Sequence, residues 1–388
     1  MKTAIDKKFE AVRKLFPLTS KKAGMVYLNS ASAGPLCKPV KQALDQYFEF
    51  SQYLDKDKEA NAFAALEKIR RLGAKMIGAG IDEVGFGCNT GYGLNLAAQG
   101  LPLKRGDEVL ISDIEFPANV YPWLALKEKG VKVKFIKSTE RYFDISNFEK
   151  AITKKSKVLS LSMVQFFNGY KNDLRKIGEI CRKNKIYFVV DGIQGCGVEP
   201  IDVKKCHIDI FSSGGQKWLL GQLGSGIFYV RKELQDKMSR FLTSWLDVDW
   251  KLDFSNLFCY DLPYFDSARK FEFGTYPYAQ VYALAASLEL LASLGVKNIQ
   301  NHNYKLLDIL ILFLKSNRIF EIKSNLKNIH RSSILAFSCN NTKLLYEKLR
   351  QNKIYCSFRE GSIRVAAHMF NNESDIKYLV KILEKFAK

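Results

Sequence analysis

The stretch that decides the fold is IYFVVDGIQ at residues 186–194, read together with SSGGQKWLLGQLGSGIFYV at 212–230. The first is a short apolar run with a carboxylate at its end. Such a run reads as a buried strand, and Asp191 then stands at its carboxyl end. In open α/β sheets ligands sit beyond those ends. A carboxylate placed there is costly without a partner. Taken by itself, Asp191 also fits a capping residue in a strand-to-helix turn. In the second stretch, Lys217 is flanked by Gly214, Gly215, Trp218 and Leu219. Glycines allow tight turns and close backbone approach. A lysine in partly apolar surroundings loses proton affinity and becomes a nucleophile. By itself it equally fits a lysine whose head snorkels to solvent.

Working outward, short apolar runs alternate with helical patterns. Strands are expected at 108–112, 131–136, 157–164, 208–212 and 226–230. Helices are expected at 119–129, at 146–153 with Ser146 as a candidate cap, and at 173–184. This alternation predicts a mostly parallel sheet covered on both faces. The last third reads differently. Helix candidates at 278–294 and 301–316 precede strand candidates at 333–338 and 362–366, and a helix at 373–387 closes the chain. That pattern predicts a smaller α+β domain. The resulting division is an N-terminal helix (1–24) packing on the small domain, a large domain (25–274) and a small domain (275–388).

Composition narrows the function classes. The chain has 388 residues, 47% of them hydrophobic, enough for a sizeable core. No run is apolar and long enough to span a bilayer, and no membrane role is expected. The start, MKTAIDKKFEAVRKLF, reads as an amphipathic helix and lacks the apolar run of a secretory signal. Eight cysteines are scattered without a C-x-x-C pair, and four histidines are dispersed, so no metal site is expected. Scattered cysteines fit a reducing cytoplasm, the expected location. The net charge of +20 is spread along the whole chain, without a basic block. It reads as a lysine-rich solvated surface, and no nucleic-acid partner is expected.

The order strand–D–G–I–Q, then D–I–F at 209–211, G–G–Q–K–W at 214–218 and G–x–G–x–x–Y–V at 224–230 resembles the class V aminotransferase family of pyridoxal-5′-phosphate (PLP) enzymes. The likeness runs from YLNSASAGP (27–35) to IRVAAHMFNNESDI (363–376). It implies fold type I: a seven-stranded-type, mostly parallel sheet flanked by helices, plus the small domain. It also implies roles. Lys217 carries PLP as a Schiff base and moves the substrate's α proton. Asp191 pairs with the pyridine nitrogen, keeping it charged so that the ring is an electron sink. Gln194 meets the phenolic oxygen. Asn89, Thr90 and Gly91, in GCNTGYGLNLAA, cup the phosphate. A Gly-rich turn opening a helix presents free N–H groups to an anion, so chemistry and resemblance agree there. Phe116 stacks on the ring, and Gln165, Ser213 and Gln216 line the cofactor. Asn29, Ala31 and Arg364 hold the substrate, Arg364 by its carboxylate. Gly274 and Thr275 reach the phosphate of a neighbouring copy, which implies a homodimer with a shared active site.

The chain also departs from its relatives. Gln216 replaces a histidine common before the lysine, and an amide is no general acid. Gly214 stands where desulfurase-like relatives place a phosphate-binding serine, and Phe116 where they place a histidine. Cysteine desulfurases carry a thiol on a mobile loop just before the carboxylate-binding arginine. Here only four residues separate Arg359 from Arg364, and the nearest thiol, Cys356, lies in strand-like KIYCSFR. The motifs VQFFNGYKNDL and EFPANVYPW look most like the isopenicillin-N-epimerase-like branch. The expected activity is amino-group transfer on an amino-acid substrate. The alternatives are a lyase or desulfurase acting on a sulfur amino acid, an epimerase, and a non-catalytic binding protein of the same fold.

Overall fold

The computed structural model describes residues 3–20, 22–53 and 58–387. A two-residue strand, β1 (Val26–Tyr27), comes first. The sheet strands are β2 (Val84–Gly87), β3 (Glu108–Ser112), β4 (Lys132–Ile136), β5 (Ser156–Ser162), β6 (Tyr187–Asp191), β7 (Ile210–Gly214) and β8 (Gly226–Val230). These seven form one sheet in the order β2-β8-β7-β6-β5-β3-β4, and only β8 runs against the others. Later come β9 (Glu321–Ile322), β10 (Ile334–Ser338), β11 (Ile354–Tyr355), β12 (Ser357–Arg359) and β13 (Ser362–Ala366). They give a four-stranded antiparallel sheet, β12-β13-β10-β9, and a parallel pair of β1 with β11. The mostly parallel sheet with a smaller antiparallel one is the architecture the sequence predicts.

The main helices are α1 (Ala4–Arg13), α2 (Lys38–Gln52), α3 (Lys58–Ile77), α4 (Thr90–Gly100), α5 (Tyr121–Leu124), α6 (Ile145–Ala151), α7 (Leu174–Lys183), α8 (Lys232–Gln235), α9 (Tyr278–Leu294), α10 (Val296–Ser316), α11 (Thr342–Gln351) and α12 (Glu373–Ala387). No single described helix is long and apolar enough to cross a membrane. Two local expectations need correction. The helix at 119–129 is broken into 3₁₀ turns around the single turn of α5, whose second residue is Pro122. The cap of α6 is Asp144, whose Oδ1 accepts from the amides of Ser146 and Asn147; Ser146 lies inside the helix.

Alternation along β6 shows how both faces of the sheet are covered. Phe188 and Val190 join one apolar cluster with α9, while Val189 joins the other with α4. Asp191, two residues beyond Val189, therefore faces the α4 side. The apolar clusters divide the chain differently from the sequence boundaries. Helix α9, placed in the small domain by the sequence, is packed in the large cluster together with α2 and α3. Val26 and Leu28, placed in the large domain, lie in the C-terminal cluster. Helix α1 touches both parts: Phe9 and Val12 join the large cluster, and Arg13 pairs with Asp375 at 2.7 Å.

One buried carboxylate ties the two sheets together. Glu199 follows the β6 turn and is buried. Its Oε1 accepts from Ser333 N and Oγ, at 2.8 and 2.9 Å, just before β10. Its Oε2 accepts from Gln300 Nε2 at 2.6 Å, from Tyr304 Oη at 2.8 Å, and from Lys171 Nζ at 3.3 Å. Strand β10 pairs with β13, which carries Arg364. Glu199 thus sets the position of Arg364 relative to the large sheet. Removing one member of a buried charged network costs about 3–5 kcal/mol, because its partners stay buried and unpaired. Glu199→Ala should therefore lower the urea unfolding midpoint well below that of the native chain. An unchanged midpoint would contradict this account of the junction.

Candidate active site

The site lies beyond the carboxyl ends of β3, β5, β6 and β7, where the sequence places it. Asp191, the last residue of β6, is buried. Its one side-chain hydrogen bond among the described residues is from the amide of Ile193, at 2.9 Å. The turn-capping role thus exists, but it uses only one carboxylate oxygen. Burial pushes the carboxyl up to about 7, and the neighbouring charge of Glu115 pushes it the same way. Lys217 lies in the turn between β7 and β8. Burial pulls its ammonium down to about 8, against the charge of Asp191, which holds the proton on. Arg364 and Arg359 add to the lowering.

The turn that bears Lys217 is fixed from two sides. Gln216 O accepts from Gly34 N at 2.7 Å. A Cβ on Gly34 would lie 2.3 Å from the carbonyl of Lys217, so only glycine fits there. His368, fully buried, lies 3.0 Å from the carbonyl of Trp218 through Nε2. Its Nδ1 accepts from the amide of Met369, which leaves Nε2 as the donor.

The segment 29–34 links the sequence-predicted residues to one another. Gln194 Nε2 donates to Ala31 O, and Gln194 Oε1 accepts from Trp218 Nε1, both at 3.0 Å. Ser32 Oγ accepts from Arg364 at 2.7 Å. The other Arg364 partners are Ser357 Oγ, at 3.0 Å, and the carbonyl of Phe166. Arg364 is buried, yet none of these partners is a carboxylate. Burial pulls its guanidinium down to about 10, with the charge of Arg359 acting in the same direction.

The start of α4 is drawn against β7. Asn89 caps the helix by accepting from the amide of Tyr92 at 2.9 Å. Gly214 N donates to Thr90 Oγ1, and Ser212 Oγ donates to Thr90 O, both at 2.8 Å. A Cβ on Gly93 would sit 2.4 Å from Ser212 Oγ, so glycine permits this approach. The first amides of α4, those of Thr90 and Gly91, have no carbonyl to meet inside the helix. Gln216 folds over Gly214: a Cβ at 214 would lie 2.4 Å from Gln216 Oε1. The Gln216 side chain therefore takes the space that a side chain at position 214 would need. Ser213 is buried beside them. Phe116 is 42% exposed, with Lys217 Nζ 5.6 Å from its ring centroid and Phe166 edge-on at 5.2 Å.

Thr275 and Gln165 complete the set of expected residues. Thr275 is exposed and accepts a long bond, 3.4 Å, from Trp245 Nε1. Among the described residues it makes no bond to the Lys217 cluster. Gln165 is buried, and its amide N–H is taken by Glu115 at 2.8 Å. Sequence reasoning missed Glu115, Ser32 and His368. Glu115 stands three residues past β3, behind Asp113, so no local signal singles it out.

These residues fit a phosphate-bearing pyridine aldehyde. Buried Gln216 Oε1, Gln165 Oε1 and Asn29 Oδ1 have no hydrogen-bond partner. Buried polar atoms of this kind call for a polar group between them. A carboxylate with a free oxygen matches a ring N–H, and a neutral-prone amine matches an aldehyde.

The lowered Lys217 value gives a direct check on the cofactor-free protein. Only the neutral amine reacts with trinitrobenzenesulfonate, so its labelling should rise with pH through a midpoint of about 8, below the ordinary 10.5. Asp191→Asn removes the charge that holds the proton on and should move the midpoint lower still. A midpoint near the ordinary lysine value would contradict the burial assigned to Lys217.

The aminotransferase class V family model matches residues 26–379. The chain is 28% identical to a probable cysteine desulfurase of Methanothermobacter thermautotrophicus, over 97% of this chain and 98% of that protein. It is 29% identical to an uncharacterized aminotransferase of Bacillus subtilis, over 96% of each. Its fold matches the apo structure of a cysteine desulfurase from Thermococcus onnurineus with a TM-score of 0.85, at 24% identity over 97% of this chain and 98% of that one. From the match across residues 26–379, the chain belongs to the class V aminotransferase family of PLP-dependent enzymes.

Proposed function

We propose that this chain acts at the α carbon of a sulfur-bearing α-amino acid and cleaves its carbon–sulfur bond. The observation that carries the substrate class is Arg364, a buried guanidinium beside Lys217 that meets only neutral acceptors. A buried cation of this kind is matched by an incoming carboxylate, which it can grip through two parallel bonds. The names of the archaeal desulfurase relatives support a sulfur substrate.

In this reading Arg364 holds the carboxylate, with Asn29 and Ala31 lining the same end. The neutral amine of Lys217 accepts the α proton. Bound PLP supplies the sink for the electron pair left at that carbon. Asp191 offers its free oxygen to the ring nitrogen and keeps a negative charge beneath it. Gln194, held by Trp218 and Ala31, presents its remaining N–H to the phenolic oxygen. Asn89, Thr90 and Gly91 take the phosphate, with Ser213 and Gln216 closing that end. Phe116 covers one ring face. Two copies of the chain form the working unit, with Gly274 and Thr275 of each facing the phosphate of the other.

The sulfur does not pass to Cys356. That thiol is buried and pushed up to about 12 by burial, so it carries no thiolate near neutral pH. The sulfur instead leaves to solution, and cysteine and one water yield pyruvate, ammonia and hydrogen sulfide. A second reading, amino-group transfer, has its own support. Phe116 offers no proton to a departing sulfur, and the Bacillus relative is named an aminotransferase.

The readings separate by product. The loaded enzyme should release pyruvate with sulfide from L-cysteine, or pyruvate with cysteine persulfide from L-cystine, and Cys356→Ala should keep that rate. Arg364→Gln should lose roughly 100-fold in kcat/KM, the worth of a charge-assisted pair. Alanine formation that depends on Cys356 would overturn the proposal in favour of a persulfide-forming desulfurase. Amino-group exchange with a 2-oxo acid, without sulfide, would favour transfer.

A further inference from the structure

The buried acid that the proposed mechanism does not use is Glu115, in the turn after β3. It is buried, and no lysine, arginine or histidine among the described residues bonds to it. Every group it meets can donate. Oε1 accepts from Ser162 N at 3.0 Å and from Gln165 Nε2 at 2.8 Å. Oε2 accepts from Ser162 Oγ at 2.5 Å and from Asn119 Nδ2 at 3.0 Å. Asn119 is oriented in turn by Ser160 Oγ, which donates to its Oδ1 at 2.6 Å. Burial pushes its carboxyl up, and the four donors on its two oxygens act against that in favour of the ionised form, which only accepts.

The place of this acid gives it a purpose. Ser162 ends β5 and pairs in register with Asp191 at the end of β6. The next residue, Met163, donates its amide to Asp191 O at 2.8 Å. Glu115 therefore grips the backbone that lies beside Asp191. By holding the amide N–H of Gln165, it also leaves Gln165 Oε1 buried and unpartnered. Two carboxylates at one end of a sheet repel each other, and a cation placed near both offsets that repulsion.

We infer that Glu115 is a positioning residue of the site: it fixes Ser162 and Gln165 against Asp191 and adds a second negative charge to the floor of the site, matched to a cationic ring. The inference rests on the proposed pairing of Asp191 with the ring nitrogen and deepens it. The charged groups that share this space are Asp191 on β6, Lys217 after β7, and Arg364 and Arg359 from the small sheet, which act on Lys217. Glu115 shares the electrostatics of the first of these, since its charge is felt at Asp191. A negative charge next to the ring stabilises the protonated nitrogen, so its loss must make that proton easier to remove.

The test uses the PLP-loaded protein with the ring nitrogen labelled with ¹⁵N, titrated by NMR. In the native chain the nitrogen should stay protonated well into the alkaline range. In Glu115→Gln its deprotonation midpoint should fall by on the order of one pH unit. Glu115→Asp keeps the charge and should restore the native midpoint, which a loss of packing alone would not do. Asp191→Asn serves as the reference. If it leaves the nitrogen unchanged, the reading of Asp191 fails. If it moves the nitrogen while a folded Glu115→Gln does not, the inference about Glu115 fails alone. A measurement on the native chain covers the case in which Glu115→Gln does not fold. The ¹³Cδ signal of Glu115, assigned through its own backbone, should be that of a carboxylate at pH 7, and a protonated carboxyl there would overturn the inference.

Discussion

Two opposite charges share a nearly dry space at the end of a parallel sheet, and the rest of the structure is arranged around that constraint. Asp191 without Lys217 would be a buried anion, and Lys217 without Asp191 a buried cation. Either alone is costly enough to neutralise itself by gaining or losing a proton. Together they are poised: the acid is pushed up and the amine is pulled down, each toward neutrality. A group that is cationic on one side and electrophilic on the other relieves both. In the proposed mechanism that group is PLP, with its ring nitrogen toward Asp191 and its aldehyde toward Lys217.

Holding such a pair requires support from distant parts of the chain. The segment 29–34 reaches Gln194 through Ala31, Arg364 through Ser32, and the Lys217 turn through Gly34. His368, just past the strand that carries Arg364, reaches the same turn. Glu199 binds the small sheet to the turn after Asp191. Arg364 and the turn that bears Lys217 therefore belong to one connected frame. A shift of either part would be transmitted to the other.

The sequence was most legible where local pattern and tertiary need coincide. Strands 108–112 and 226–230 and helices 278–294 and 373–387 have the predicted bounds, because each is bracketed by turn residues or caps. Helix 119–129 was not legible, since its apolar spacing is right but Pro122 leaves only one regular turn. Ser146 and Asp144 are both acceptable caps, and only the backbone position decides between them. The boundary at 275 put α9 in the small domain because the helix is apolar on most sides, and such a helix does not say which core it enters. At the site, Asp191, Gln194 and Lys217 were legible as a set. Their supports were not. Ser32, Glu199 and His368 act through long-range bonds that leave no periodic trace, and Glu115 reads as an ordinary loop acid until its four donors are seen.

The central claim is that Lys217, of all the lysines in this chain, carries the cofactor. Reducing the PLP-loaded protein with borohydride makes any lysine–cofactor bond permanent, and peptide mass spectrometry then locates it. The account predicts the reduced adduct on Lys217, within GGQKWLLG, and its absence from the Lys217→Ala protein. An adduct on a different lysine, or one that survives in Lys217→Ala at full yield, would contradict it.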